Sequence, residues 1–277
     1  MATSPRIARL SKMNTPNDIP VKRILVAIDT SPRSLATLQI AIDLAAHMHA
    51  QLEMLFVEDM DLLHLAELPF ATELDRTSGE ARALNAPSLT YALQSQARRL
   101  RQLLRTFSKQ KQVNTNLRVV RGNYMSEAMH AETDVLFMFS SKRVSVATSS
   151  RIPKPSRARP MIWDAAPIYV YYTGGPESER PLTLATDLGG ILGIEVVVLL
   201  PAGSDQTIST FKKRSLELLG GKCPVRYEAV NTDLAGCAKL LAASSCTLLV
   251  MPKHDATKQL AEIRALEAIH CPLVLVA

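Results

Sequence analysis

Among the 277 residues, those best placed to do chemistry sit where short aliphatic runs end. Asp29 closes the run Arg23-Ile-Leu-Val-Ala-Ile28. A carboxylate at the end of a buried strand can accept hydrogen bonds from a ligand's hydroxyls or amines. It can equally satisfy a backbone N–H at a turn or helix start, and for Asp29 the two readings weigh the same. Ser140, Ser141, Lys142 and Arg143 follow another aliphatic run, with Thr148, Ser149, Ser150 and Arg151 soon after. Hydroxyls and guanidinium groups can hold phosphates, although a solvated basic loop has this composition too, and composition alone favours that loop.

Other reactive residues form no readable constellation. The six histidines (47, 49, 64, 130, 254 and 270) have no metal spacing, and His254-Asp255 reads as a polar loop tip. Cys223, Cys237, Cys246 and Cys271 contain no CxxC, so neither a zinc site nor a thioredoxin motif is written; they read as small buried thiols. GxxxxGK[ST], GxGxxG and GxSxG are absent. No nucleophile and base are paired by spacing, so the expectation is a protein that is not an enzyme and holds no metal.

The elements that must position these residues are aliphatic strands alternating with amphipathic helices. Strand runs fall at 23–29, 52–57, 117–121 and 134–139, then at 167–172, 194–200, 224–230, 247–251 and 272–277. Most are apolar on both faces, as buried parallel strands are. Helices are expected at 34–49, 88–111, 179–192, 205–219, 233–244 and 257–269. Ser31-Pro32 is a helix start, and Gly189, Gly190 and Gly193 read as helix stops. The segment 60–75, rich in Leu and Ala with an internal Pro69, reads as a helical lid or an interaction element, with burial against the sheet the favoured expectation. The alternation predicts an α/β fold of doubly wound parallel sheet.

Residues 26–45 and 170–189 align without a gap at an offset of 144, setting Ala41-Ile-Asp-Leu-Ala45 opposite Ala185-Thr-Asp-Leu-Gly189. The expectation is a tandem duplication: a disordered tail at 1–20, repeat one at 21–163 and repeat two at 164–277. Pro153, Pro155 and Pro160 oppose a regular helix at the end of repeat one, so its last helix and strand are eroded, or that strand is the short Val144–Thr148.

Charge separates the halves. Residues 1–163 hold 22 Lys/Arg against 14 Asp/Glu, whereas 164–277 hold 10 against 12. Between Glu80 and Glu127 there are nine cations and no acid. On the helix expected at 88–111, Arg98, Arg101, Arg105 and Lys109 lie opposite the apolar stripe Leu93, Ala97, Leu100, Leu104 and Phe107. An acidic protein or another anionic partner fits that face. Nucleic acid fits it less well, because no aromatics are interleaved. No apolar run approaches the roughly 18 residues of a membrane span, and the first twenty residues carry no secretory pattern, so the expected location is cytoplasmic.

The sequence resembles the universal stress protein family. The resemblance is carried by Arg23-Ile-Leu-Val-Ala-Ile-Asp29-Thr-Ser31, Ala41-Ile-Asp-Leu-Ala45, Leu52-Glu-Met-Leu-Phe-Val57, Val119-Val-Arg-Gly122 and Asp134-Val-Leu-Phe-Met138. His270-Cys-Pro-Leu-Val-Leu-Val276 resembles that family's last strand. The resemblance implies a small α/β fold, cytoplasmic residence, stress-linked regulation and pairing through a fifth strand. It also implies a nucleotide pocket lined by Ala27, Asp29, Val57 and Ser140, with Asp29 on ribose or adenine. ATP-binding members resemble one another in a Gly-x-x-Gly, a spacer and a Gly-Ser/Thr, which let backbone N–H groups approach the phosphates. Residues 140–163 and 237–277 contain no glycine, and Thr173 stands opposite Asp29 in repeat two.

The resulting expectation is a non-catalytic regulatory or interaction protein of the universal stress type, without a resident cofactor. Its two repeats pair within one chain, with a homodimer as the other arrangement. The alternative is an adenine-nucleotide sensor binding ATP in repeat one through Ala27, Asp29, Val57, Ser140, Ser141, Lys142, Arg143, Ser149 and Ser150.

Overall fold

The structure is a computed structural model, and it describes residues 20–28, 32–74, 79–138, 166–230, 237, 240–241, 244–254, 263 and 271–277. The first half contains β1 (Arg23–Ile28), α1 (Pro32–Met48), β2 (Gln51–Asp59), α2 (Met60–Ala66), β3 (Thr72–Leu74) and β4 (Ala81–Ala83). It continues with α3 (Ala86–Lys111), β5 (Thr115–Gly122), α4 (Tyr124–Met129) and β6 (Val135–Met138). The second half contains β7 (Ile168–Tyr171), α5 (Pro176–Leu192), β8 (Val196–Pro201), α6 (Asp205–Leu219), β9 (Val225–Val230), β10 (Leu248–Pro252) and β11 (Leu273–Val276).

Nine strands form one sheet in the order β5-β2-β1-β6-β11-β10-β7-β8-β9. Every neighbouring pair is parallel except β6 and β11, which run antiparallel with Val274 opposite Phe137. The doubly wound α/β expectation is borne out, and each aliphatic run expected as a strand is one. The cause is burial on both faces. Ile24, Val26 and Ile28 of β1 enter one apolar cluster, shared with α1, α3, α5 and α6, while Leu25 and Ala27 enter the other, shared with α4. Alternate residues along such a strand are all removed from water, each fully buried aliphatic side chain contributing about 1.5–3 kcal/mol.

The gapless offset of 144 seen in sequence is also a register. Ile24 pairs with Leu52, and Ile168 pairs with Val196, each 144 residues further on. Helices α1 and α5 both have 17 residues and both open on proline, at Pro32 and Pro176. Proline suits the first turn, where its missing N–H leaves no bond unmade. Ser31, the other half of that start signal, lies outside the described residues.

Three local readings are corrected. The segment 60–75 buries only in part: Ala66 joins the core cluster, with Leu62 and Leu63 packed against it. Its helix α2 packs on α3, and Leu65, Leu68 and Phe70 remain exposed, Phe70 by 75%. Gly189 and Gly190 lie inside α5 and do not stop it. A Cβ at Gly189 would sit 2.8 Å from Cys223 Sγ and from Val196 Cγ2, so close packing demands glycine there. The stop is Gly193, at φ 69°, a conformation that costs glycine little. A strand at Val144–Thr148 falls outside the described residues, and the place beside β6 is taken by β11.

Candidate functional site

The candidate crevice lies at the carboxyl ends of β1 and β2, where open α/β sheets bind ligands. Ala27 and Val57 belong to the same apolar cluster on one face of the sheet, 1% and 8% exposed. They stand on neighbouring strands, where Ala27 pairs in register with Leu55. Asp29, Ser140, Ser141, Lys142, Arg143, Ser149 and Ser150 lie outside the described residues.

Two features of this rim escape sequence reasoning. Helix α4 is nucleated by Asn123, whose side chain accepts the Ser126 N–H at 3.2 Å. Ala128 and Met129 anchor it in the core, and its first residue reaches over the sheet: the Tyr124 hydroxyl donates to the Ala27 carbonyl at 3.0 Å. The second feature is an ion pair. Glu58 and Arg121 are register partners on β2 and β5, and Arg121 Nε donates to Glu58 Oε2 at 2.8 Å. Glu58 is 8% exposed, so this carboxylate is desolvated and claims the guanidinium beside it. The signal for the pair was present, since both residues stand at the carboxyl ends of adjacent strand runs. Tyr124 gave none, because its partner is 97 residues away.

Among the described residues the rim offers a phenolic hydroxyl and backbone carbonyls, with Arg121 paired to Glu58. Such groups can recognise hydroxyls and amines. A triphosphate requires a concentration of unspent donors.

In the second half the same place has another construction. Thr173 donates from its hydroxyl to Glu177 Oε1 at 3.3 Å. Gly174 follows at φ 81°, and a Cβ on it would collide with the ring of Phe211. Phe211 in turn meets Tyr172 edge-on, with ring centroids 6.2 Å apart and an interplanar angle of 79°. Here an aromatic from α6 is packed directly against the turn that leaves the first strand.

The basic helix forms as expected. Asn85 caps α3 by accepting the Ser88 N–H at 2.9 Å, and Leu89, Leu93, Ala97, Leu100 and Leu104 are its buried stripe. Arg98, Arg101, Arg105 and Lys109 are exposed, and among the described residues none of them forms an ion pair. Tyr91, 69% exposed, precedes Arg98 and Arg105 at successive steps of seven residues, which places all three along the outer ridge.

The universal stress protein family model matches residues 20–135. That segment is a universal stress protein domain. It spans β1 to the start of β6 and so contains Ala27, Val57, Tyr124 and the Glu58–Arg121 pair. A universal stress protein from Archaeoglobus fulgidus is similar in structure, with a TM-score of 0.51 at 10% identity, over 92% of this chain and 95% of that one. At that identity the likeness shows the fold alone. A putative universal stress protein from Pseudomonas aeruginosa gives a TM-score of 0.45 at 10% identity, over 92% and 93% of the two chains. A universal stress protein in complex with cAMP gives 0.34 at 12% identity, over 40% of this chain and 97% of that one. No curated protein matches the chain. No helix among the described residues is long and apolar enough to cross a membrane.

Proposed function

We propose that the protein is a non-catalytic stress-response module of the universal stress type that works by binding an acidic protein partner. It comprises two degenerate repeats in tandem, 21–163 and 164–277, paired with each other through β6 and β11 and resident in the cytoplasm. The described cysteines are all free thiols, as a reducing compartment keeps them.

One observation carries the reading. The exposed cations of α3 and the candidate crevice lie over opposite faces of the sheet. The buried stripe of α3 enters the apolar cluster of α1 and α5, whereas Ala27 and Val57 enter the other cluster. Arg98, Arg101, Arg105 and Lys109 therefore serve a partner on the outside and lend no charge to a nucleotide above β1. Within the crevice, Arg121 is spent on Glu58 and Tyr124 occupies the Ala27 carbonyl.

The test has two arms. Calorimetry with ATP, ADP and AMP is expected to give no binding. Low-micromolar ATP binding that disappears in Asp29→Ala would establish the nucleotide sensor instead. In the second arm, a polyglutamate peptide is titrated onto the full chain. Binding that weakens with salt and is lost in the Arg98→Glu/Arg105→Glu double variant supports the ridge, and binding indifferent to that variant removes it.

A further inference from the structure

We infer that the partner of α3 is a bipartite segment, with an apolar anchor that seats on Leu65, Leu68, Phe70 and Tyr91 and a run of acids that lies along Arg98, Arg101, Arg105 and Lys109. The inference rests on the acidic-partner reading above and adds to it the apolar half and the order of the two.

The surface is made by two elements joined from beneath. Helix α2 packs on α3, and its buried residue Ala66 enters the same cluster as Leu89 and Leu93. The Leu84 N–H donates to the Ala71 carbonyl at 2.9 Å, and the Ala71 N–H to the Leu68 carbonyl at 3.1 Å. Residues 68–71 are thereby tied to the residue that precedes Asn85, the cap of α3. With that side fixed, Leu65, Leu68 and Phe70 face water at the end of α3 from which Tyr91 also projects. Single exposed apolar side chains are ordinary on a protein surface; three within six residues beside an exposed tyrosine make a patch.

The ridge of α3 leads away from that patch. Tyr91, Gln94, Arg98, Arg101, Arg105 and Lys109 are all exposed and recur in steps of three and four. Such steps keep side chains on one line of a helix. At 1.5 Å per residue, Tyr91 lies about 10 Å from Arg98 and about 27 Å from Lys109 along the axis. A helical segment laid on this line presents carboxylates in the same steps, beginning about seven residues from its anchor.

Charge fixes which end takes the acids. No acid stands between Glu80 and Glu127, so α3 has no carboxylate of its own for these four cations. Three of the four are arginines, whose planar fork takes a carboxylate in two parallel hydrogen bonds. Asp61 and Glu67 are exposed among the apolar residues of α2 and the turn after it. They repel a segment that is acidic throughout and accept one whose acids are confined to the far end. The same two carboxylates oppose insertion of Leu65, Leu68 and Phe70 into an anionic bilayer. The apolar end also supplies affinity that the ridge lacks: exposed ion pairs contribute little each and fade with salt, whereas burial of an aromatic side chain does not depend on them.

Fluorescence anisotropy on the full chain tests the inference with two labelled peptides of equal charge. One is polyglutamate behind an alanine spacer; the other carries a Phe-Leu anchor at the far end of that spacer, seven residues from the first glutamate. The anchored peptide is expected to bind about tenfold tighter, the gain from burying one large apolar side chain. Leu68→Ser/Phe70→Ser removes that gain and leaves the affinity for the plain peptide unchanged, while Arg98→Glu/Arg105→Glu weakens both. Moving the anchor into the middle of the glutamates also loses the gain. Both double variants change exposed side chains, and an unchanged circular dichroism melt confirms their fold. Equal affinity of the two peptides, or a gain that survives Leu68→Ser/Phe70→Ser, would overturn the bipartite partner while leaving the acidic-partner reading in place. Failure of both peptides to bind overturns both. Phosphatidylglycerol vesicles that capture the chain through Phe70 would assign the patch to a membrane instead. A dimer in sedimentation that Leu68→Ser/Phe70→Ser dissociates would assign it to a second copy, and either result removes the inference.

Discussion

The two halves repeat their fixings and differ in their openings. In the first, the Asp134 N–H donates to the Arg23 carbonyl at 3.1 Å and its carboxylate accepts from the Lys22 and Arg23 N–H groups at 2.7 and 2.9 Å. In the second, the Thr247 N–H donates to the Pro167 carbonyl at 3.0 Å and its hydroxyl to the Ala166 carbonyl at 2.6 Å. Ala166 and Pro167 stand 144 residues after Lys22 and Arg23, so two chemistries tie down the same two positions. Where the halves diverge is around the crevice: α2, the β3–β4 hairpin and a 26-residue α3 lie between the second and third strands of the first half, against a 15-residue α6 in the second. Strand anchoring is alike in the two halves, whereas the surroundings of the crevice differ.

The strongest way to break the comparison is at the seam. Phe137 of β6 is fully buried opposite Val274 of β11. Phe137→Ala is expected to cost about 3–5 kcal/mol, since the cavity lies in a close-packed core. If the halves are one cooperative unit, urea unfolding followed by hydrogen exchange will show β1 and β7 losing protection together. Protection that persists at β7, β8 and β9 after β1 and β2 have lost theirs would make the halves independent.

How much was legible divides along the same line. The sheet strands could be read because strands covered on both faces are continuous aliphatic runs, and the offset of 144 because register preserves spacing. Helix α4 has only six residues, too few for a 3.6-residue period to declare itself. The Leu-rich segment after β2 was misjudged because apolar content does not say which residues face water; Leu65, Leu68 and Phe70 do. The antiparallel seam was illegible, since a buried run carries no mark of its partner's direction. Within the site, Ala27 and Val57 were named through the family resemblance, while Tyr124 depends on a tertiary contact alone.

The turn that leaves the first strand sharpens the contrast. Gly174→Ala is expected to combine about 1–2 kcal/mol of left-handed backbone strain with about 1–3 kcal/mol of overpacking against Phe211. Gly193→Ala, at φ 69° with open space around it, should show only the strain, about 1–2 kcal/mol. Thermal unfolding of both variants reads the difference, and equal costs would mean that Phe211 does not hold the turn.

Alkaline pH should act through the second half, which contains Tyr169, Tyr172, Cys223 and Cys246, all with pKa values raised by burial, and in Cys246 first by its contact with Cys271. Below pH 9 these groups are protonated whether the chain is folded or not. From there upward the unfolded chain releases its protons first, at 9.0 for cysteine and 10.0 for tyrosine, so stability falls. Lys253 runs the other way: burial lowers its pKa, and it contributes rising stability until the unfolded lysine titrates at 10.5. Four groups against one predict a net fall between pH 9 and 10.5, of up to about 1.4 kcal/mol per pH unit for each proton released. Urea denaturation at stepped pH measures it, and a flat profile would contradict the burial of these side chains.

The smallest effect tests the closest likeness. Asp43 pairs with Lys111 at 2.9 Å, and Asp187, 144 residues on, pairs with Lys222. Each aspartate lies on the helix after its half's first strand, and each lysine stands just before the third. Both lysines are about half exposed, so each brace is expected to couple by only about 0.2–1 kcal/mol and to weaken with salt. Asp187 is 13% exposed against 24% for Asp43, which places the second brace in the less screened setting. Double-mutant cycles with Asp→Asn and Lys→Met should therefore give a larger coupling for Asp187–Lys222. Coupling in one half and none in the other would show that the matching positions do not share the interaction.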